Sequence, residues 1–227
     1  MERDVTDIFR SKYASPRSPY TTLQIPLQGI GEWCHPKETA DIDDTGFRRQ
    51  IRNNVFTTPH GIPFRTPAEG KNIAYTTLWD QYPDSVCVKL DGKAKGIYLL
   101  LAGSTNHMQC RHENGIVRIT YQDGNQETLS LVNPENWVPI EQDLYLDGVA
   151  FQSAAPRPYR VVLSSGHVSN QLEKDLRLKG FNDRRIPGGA ATILYLPLDK
   201  KKELKKLSIE TRANDVIIGL MGATLVE

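Results

Sequence analysis

The sequence has few cysteines and almost no net charge. Cys34, Cys87 and Cys110 are its three cysteines, and none has the paired Cys-x-x-Cys spacing of a metal site. We therefore expect no structural zinc, at most one disulfide and buried free thiols. Lysine and arginine number 28 against 27 aspartates and glutamates, so the net charge of +1 supplies no general field for polyanions or anionic lipids. This balance disfavours nucleic acid and membrane surfaces as partners.

Long apolar runs are also missing. The longest, residues 96–103, is far shorter than the roughly 20 residues that a membrane helix needs, so no membrane span is expected. The first seven residues carry charges where a secretory signal needs its apolar region, so no export signal is visible.

The familiar enzyme signatures are missing as well. The sequence contains no Gly-x-Ser-x-Gly elbow, phosphate-binding loop, His-Glu-x-x-His motif or dinucleotide fingerprint. We therefore predict no catalytic residue and no cofactor. A glycosidase needs only two well-placed carboxylates, and a chain with 27 acidic residues leaves that possibility open.

Short β-rich segments separated by turns make up most of the chain. Residues 85–90 alternate apolar and polar side chains, and residues 97–102 form a continuous apolar run. An Asp-Gly turn at 123–124 separates residues 116–121 from 126–131, which predicts an antiparallel hairpin. Helical periodicity is confined to residues 168–179, where a short helix or a basic loop is expected.

Regularly spaced strands without a βαβ rhythm predict an all-β, antiparallel sandwich. At 227 residues such a sandwich is commonly one domain. We divide the chain into an N-terminal arm and first strand, residues 1–54, packed on a sandwich formed by residues 55–227. Residues 39–46 and 53–64 are interpreted as short strands and loops.

Several segments resemble the galactose-binding-like jelly rolls attached to bacterial polysaccharide-degrading enzymes. The match spans roughly residues 55–226, and residues 29–36 and 133–137 resemble the carboxy-terminal region of large, uncharacterised gut glycan-utilisation proteins. The resemblance implies a jelly-roll fold, a periplasmic or extracellular setting and a longer parent protein. It transfers no catalytic residue. The segments that carry the broader match are residues 61–64, 82–86, 93–100, 121–124, 196–200 and 207–210.

Aromatic, basic and acidic side chains outside the expected strands are the candidates for carbohydrate contacts. Aromatic rings stack on the apolar faces of sugars, while arginine, histidine and carboxylates fix hydroxyl or carboxylate groups. The best candidate site combines the polar stretch 103–115 with the loop 133–143. For Trp33, and for Trp79 with Tyr82, core packing is the alternative to stacking, and for 103–115 it is a solvated loop. The candidates are Trp33, His35, Trp79, His107, Arg111, His112, Trp137 and Glu141.

Asp41, Asp43 and Asp44 suggest either a calcium loop or the capping of a helix or turn. For the whole chain we expect a non-catalytic, carbohydrate-associated accessory module of a glycan-degrading protein. The alternatives are a purely structural sandwich packed on a catalytic neighbour and a glycan-active hydrolase or lyase. The expected partner is carbohydrate or a neighbouring domain of a longer parent protein.

Overall fold

The computed structural model describes residues 17–24, 42–78, 82–105, 110–143, 148, 152–153, 156–179 and 184–227. In this part of the chain the strands, in chain order, are β1 (Tyr20–Thr21), β2 (Val55–Thr57), β3 (Pro63–Arg65), β4 (Ile73–Thr77), β5 (Ser85–Lys89), β6 (Gly96–Thr105), β7 (Glu113–Tyr121), β8 (Gln126–Val132), β9 (Tyr159–Val162), β10 (Val168–Ser169), β11 (Ala190–Pro197), β12 (Leu204–Thr211) and β13 (Val216–Val226). The described helices are α1 (Thr45–Gln50) and α2 (Leu172–Asp175).

Two antiparallel sheets dominate the fold. The larger has seven strands in the order β1-β4-β13-β6-β11-β9-β10, and the smaller has four in the order β5-β12-β7-β8. The strands β2 and β3 form a separate two-stranded hairpin. All the strand pairs of these sheets are antiparallel, so the predicted antiparallel, all-β fold is confirmed.

The seven-stranded sheet is covered on both faces. Alternate residues of β6 point to opposite faces, so Leu99 and Leu101 pack between the two sheets while Leu100 packs on the other side. On that outer face Phe47 of α1 and Phe64 of β3 complete a second core. A strand that is buried on both faces has apolar side chains at successive positions, which explains the continuous apolar run of residues 97–102.

The predicted hairpin is confirmed. Residues of β7 pair antiparallel with β8, with Val117 opposite Leu129 and Ile119 opposite Glu127. Gly124 adopts a φ of +88° in the connecting turn, a conformation that residues with a Cβ rarely adopt. The Asp-Gly pair therefore fixes both the position of the turn and the register of the strands.

Of residues 39–46, interpreted as short strands and loops, 39–41 lie outside the described residues, 42–44 form an isolated bridge and a loop, and 45–46 begin helix α1, which was not predicted. The helix has six residues, too few to show a helical period in the sequence. Its Phe47 is fully buried on the seven-stranded sheet, and a Cβ at Gly46 would lie 2.0 Å from the Ser164 carbonyl oxygen. Tertiary packing therefore decides this helix.

The structure also bears on the predicted N-terminal arm and on the predicted buried thiols. Strand β1 joins the edge of the larger sheet beside β4, while the division of the chain at residue 54 stays a prediction. Cys87 and Cys110 are exposed, so the expectation of buried thiols was wrong for both, and Cys34 lies outside the described residues. Each lies at a sheet edge or loop where its side chain meets solvent.

Candidate functional site

Four of the candidate residues lie in the described part of the chain. Arg111 and His112 are exposed, Glu141 is half-buried and Trp137 is buried. The other four candidates, Trp33, His35, Trp79 and His107, lie outside the described residues.

The two stretches predicted to form one site do meet. The Arg111 amide donates a hydrogen bond of 2.7 Å to the Asn133 carbonyl, and the Asn133 side-chain amide lies 3.4 Å from the Cys110 sulfur. At the other end of the loop the Ile140 amide donates to the Gly103 carbonyl at 2.8 Å. The structure therefore brings the described parts of 103–115 and 133–143 together at one end of the sandwich.

Trp137 faces the core of this junction. Its side chain is fully buried, and a Cβ at Gly103 would lie 2.9 Å from the indole ring. A ring with no exposed surface has no face on which a sugar can stack. Trp137 is therefore a core residue. Arg111 and His112 are the exposed candidates that remain in the described loop.

Arg111 and His112 sit on a tight turn. Arg111 adopts a left-handed φ of +58°, and a ring nitrogen of His112 lies 3.1 Å from the Cys110 carbonyl oxygen. Partial burial raises the pKa of the neighbouring Cys110 thiol, which keeps it in the neutral form. The turn thus presents one guanidinium and one imidazole to solvent beside a neutral thiol.

Glu141 and Asp143 take part in a network that holds the loop in place. The Ser104 hydroxyl donates to Glu141 at 2.9 Å, and the side chain of Arg160 donates 2.8 Å bonds to the carbonyls of Pro139 and Ala190. Burial lowers the pKa of Arg160 to about 10, against the opposing effect of the two carboxylates. These contacts favour a structural role for this part of the loop.

A cavity of about 10 Å³ lies beside this network, lined in part by Asp143, Arg157 and Arg160. That volume is about the minimum for one water molecule and is too small for a sugar ring. Arg157, Arg160 and Arg184 each approach the Asp143 carboxylate within 3.9 Å. These arginines are therefore paired with a carboxylate of the protein itself, and the cavity beside them is too small to hold a glycan.

Two of the three aspartates considered for calcium, Asp43 and Asp44, have protein partners. Asp43 accepts hydrogen bonds from the Thr45 amide at 3.0 Å and the Thr45 hydroxyl at 2.6 Å, and Asp44 pairs with Arg48 at 2.8 Å. Asp41 lies outside the described residues. Within the described ranges no group of three or more potential ligands is arranged to hold a metal ion. The observed contacts are those of turn capping.

A row of aromatic side chains that sequence reasoning missed lies on the outer face of the seven-stranded sheet. Tyr195 of β11 is directly opposite Tyr98 of β6, and their ring centroids are 4.8 Å apart. Tyr159 of β9 lies opposite Ile193 and therefore shares a face with Tyr195, two residues further along β11. The His60 ring contacts Tyr159 with centroids 4.6 Å apart. We call His60, Tyr98, Tyr159 and Tyr195 the aromatic row.

The aromatic row is open to solvent. Tyr195 is 44% exposed and Tyr159 is 39% exposed, although both belong to a sheet whose centre is buried on both faces. The pattern that signals the row is weak in the sequence, because each tyrosine lies in a different strand. Only the register of the three strands places the three tyrosines on one face of the sheet.

A groove of about 540 Å³ opens between the edges of the two sheets. Tyr82, proposed with Trp79 as a stacking platform, lies in it, and the Arg17 guanidinium carbon is 5.3 Å from the centre of the Tyr82 ring. Tyr75 contacts the same ring edge-on at 5.8 Å. The described lining is largely apolar and consists of Arg17, Pro19, Ala74, Tyr82, Pro83, Ser85, Val86, Cys87, Val88 and Leu220.

No protein-family model, curated protein or solved structure matches the chain. The resemblance to galactose-binding-like jelly rolls therefore stays a prediction. Among the described helices, none combines the length and the apolar character that crossing a bilayer requires.

Proposed function

We propose that the chain is a non-catalytic, carbohydrate-associated accessory module of a glycan-degrading protein, with a sandwich of the galactose-binding-like jelly-roll type. The observation that supports this proposal best is the aromatic row. Tyr159 and Tyr195 expose 39% and 44% of their surface on one face of the seven-stranded sheet. Tyrosine combines an apolar ring with a polar hydroxyl, the combination that suits the apolar face and the hydroxyls of a sugar.

A ligand on this row would lie along the sheet surface. Tyr98 and Tyr195 supply adjacent rings, and His60 next to Tyr159 adds ring nitrogens that bond hydroxyl groups. The surface is shallow, so it gains few contacts against the cost of ordering the ligand. We expect affinities in the millimolar to micromolar range for single oligosaccharides.

The proposed setting is periplasmic or extracellular, within a longer parent protein, where the partner is glycan or a neighbouring domain. Two other functions compete with this one. A purely structural sandwich would use its exposed surfaces to pack on a catalytic neighbour. A hydrolase or lyase would need a catalytic cavity, and in a glycoside hydrolase that cavity holds two carboxylates about 5 to 9 Å apart. The described lining of the larger groove has no carboxylate, which favours the non-catalytic proposal.

Titration against a panel of neutral and acidic plant cell-wall oligosaccharides tests the proposal. The unmodified protein should bind at least one member, and Tyr195→Ala should weaken that binding about tenfold because it removes the most exposed tyrosine of the row. Tyr195→Phe is the matched control and should retain most of the affinity, since it keeps the ring. Arg111→Ala reports separately on the loop 110–112.

The outcomes separate the competing functions. Loss of binding in Arg111→Ala with no change in Tyr195→Ala would move the site from the row to the loop. If no glycan binds even at millimolar concentration, the carbohydrate proposal fails and the structural sandwich becomes the better account.

A further inference from the structure

Within the described part of the chain, strand β5 is an edge of the four-stranded sheet that lacks the usual protection against pairing. The sheet order places β5 at one end, next to β12. Natural edge strands avoid pairing by being very short or by carrying proline, bulges or several charges. In β5 there are five residues, Ser-Val-Cys-Val-Lys, with one charge and no proline, and the pairing with β12 is regular.

The hydrogen bonds to β12 show which backbone groups of β5 face away from it. The Thr211 amide donates to the backbone carbonyl of Asp84, and the Leu90 amide donates to the backbone carbonyl of Lys205. Bonded residues alternate in an antiparallel ladder, so the even-numbered positions 84–90 face β12. The amides and carbonyls of Ser85, Cys87 and Lys89 therefore point away from the sheet.

These outward groups form a self-complementary set. If a second β5 runs antiparallel with its Cys87 opposite Cys87, then Ser85 of each copy lies opposite Lys89 of the other. All three outward residues of each copy become hydrogen-bonded pairs, and no like charges face each other. A shift of the register by two residues leaves one outward residue of each copy unpaired.

The surface beside this edge is apolar. Val88 is 41% exposed, although Leu207 opposite it on β12 is fully buried. Val88 also borders the sheet-edge groove, together with Ala74 and Leu220. In the self-paired register Val88 lies opposite Val86 of the second copy on the same face, so pairing covers the exposed valine.

We propose that two copies of this chain associate through β5, paired antiparallel about a two-fold axis at Cys87, so that their four-stranded sheets become continuous. The contact is small compared with the 1,200–2,000 Å² that stable interfaces usually bury, so the association is weak and concentration-dependent. The inference does not depend on the proposed carbohydrate function.

A pair of charge variants at Ser85 tests the register. Ser85→Glu places a carboxylate opposite Lys89 of the second copy and should tighten association about 2- to 5-fold, while Ser85→Lys should weaken it by a similar factor. Within one chain Ser85 lies opposite Glu210. Ser85→Glu should therefore lower the free energy of unfolding and Ser85→Lys should raise it, opposite in sign to their effects on association. Sedimentation equilibrium measures association, and urea unfolding measures stability on the same samples.

A backbone variant and a cross-link test the contact itself. Cys87→Pro removes an outward amide that β12 does not use, and should weaken association more than about tenfold because two interchain hydrogen bonds are lost. In a Cys34→Ser, Cys110→Ser background, a short bifunctional thiol reagent should join two chains through Cys87, since paired Cα atoms lie about 5.5 Å apart. Circular dichroism confirms that each variant folds.

Three results would overturn the proposal. The first is a mass of one chain at every concentration up to the millimolar range. The second is a change of association in the same direction for Ser85→Glu and Ser85→Lys. The third is a dimer whose association constant is unchanged in Cys87→Pro and whose Cys87 thiols do not cross-link.

Discussion

Trp137 shows how a residue of one type changes role with its environment. In the sequence it lies in a proline-rich loop among acidic side chains, the setting of a sugar-stacking ring. In the structure its ring fills the core at the end of β6, and its indole nitrogen has no hydrogen-bond partner among the described residues. The ring thus anchors the loop 133–143 to the sandwich.

Replacing this ring tests the anchoring role. We expect Trp137→Ala to lower the free energy of unfolding by about 3–5 kcal/mol, since it leaves a large cavity in the core. Trp137→Phe should cost clearly less, because it keeps an aromatic ring and removes an unpaired buried N–H. Urea unfolding of both variants gives the comparison, with Arg111→Ala as an exposed control. Equal stability of Trp137→Ala and the unmodified protein would contradict the assignment.

Arg160 is the second residue whose role depends on tertiary contacts. Its guanidinium is fully buried, yet it donates to the carbonyls of Pro139 and Ala190 and lies 3.9 Å from the Asp143 carboxylate. Burial alone would be costly for this charge, and these acceptors offset the cost. A single arginine thereby connects the loop 133–143 to β11.

At the scale of elements, the β7–β8 hairpin depends on its turn. The Gly124 amide donates to the Tyr121 carbonyl, and the Tyr121 amide donates to the Asn125 carbonyl at 2.9 Å. A Cβ at Gly124 would meet nothing within 4 Å, so only the backbone conformation restricts this position. The glycine is required for its left-handed φ and for no packing reason.

Substitutions at Gly124 isolate that backbone preference. Gly124→Ala should destabilise the protein by about 1 kcal/mol, because alanine rarely adopts a positive φ. Gly124→Asn should cost less, since asparagine populates this region more readily. Thermal unfolding compares the two variants, and a loss that is larger for asparagine than for alanine would argue against this explanation.

The aromatic row results from the way three strands pair with one another. Strands β6, β9 and β11 each contribute one tyrosine that is unremarkable within its own strand. Antiparallel register then places Tyr98 opposite Tyr195 and puts Tyr159 on the same face. Strands that lie apart in the chain therefore create a surface that their separate sequences did not indicate.

At the scale of the whole molecule, three aspartates in different parts of the fold have lowered pKa values. The main cause in each case is a hydrogen bond to the carboxylate. The Thr45 hydroxyl donates to Asp43, the Asn125 backbone amide donates to Asp123, and the His167 ring donates to Asp175. Each group favours its ionised form more strongly in the folded state than in the unfolded state, where its pKa is near 3.8.

The sign of the pH dependence follows from linkage. A lowered folded-state pKa contributes stability above the unfolded value, and this contribution is lost as the pH falls through the folded value. We therefore expect the free energy of unfolding to decline below about pH 4. Urea unfolding across this range should show a shallower decline for Asp175→Asn, which cannot ionise. An identical acid dependence in the two proteins would contradict the role of Asp175.

The sequence by itself determined the antiparallel β architecture and the β7–β8 hairpin. Both follow from local rules: alternation of apolar residues defines a half-buried strand, a continuous apolar run defines a strand covered on both faces, and Asp123-Gly124 defines a turn. These signals lie within a few residues of one another. They could be read without knowing which strands are neighbours.

Only the tertiary structure decided which side chains are available for function. Helix α1 forms because Phe47 packs on a sheet built from distant residues, and Trp137 is buried because β6 ends beneath it. The aromatic row and the outward-facing edge of β5 exist only after the described strands have taken their order and register. Exposure and proximity are set by contacts between residues far apart in the chain, and no local pattern in the sequence encodes them.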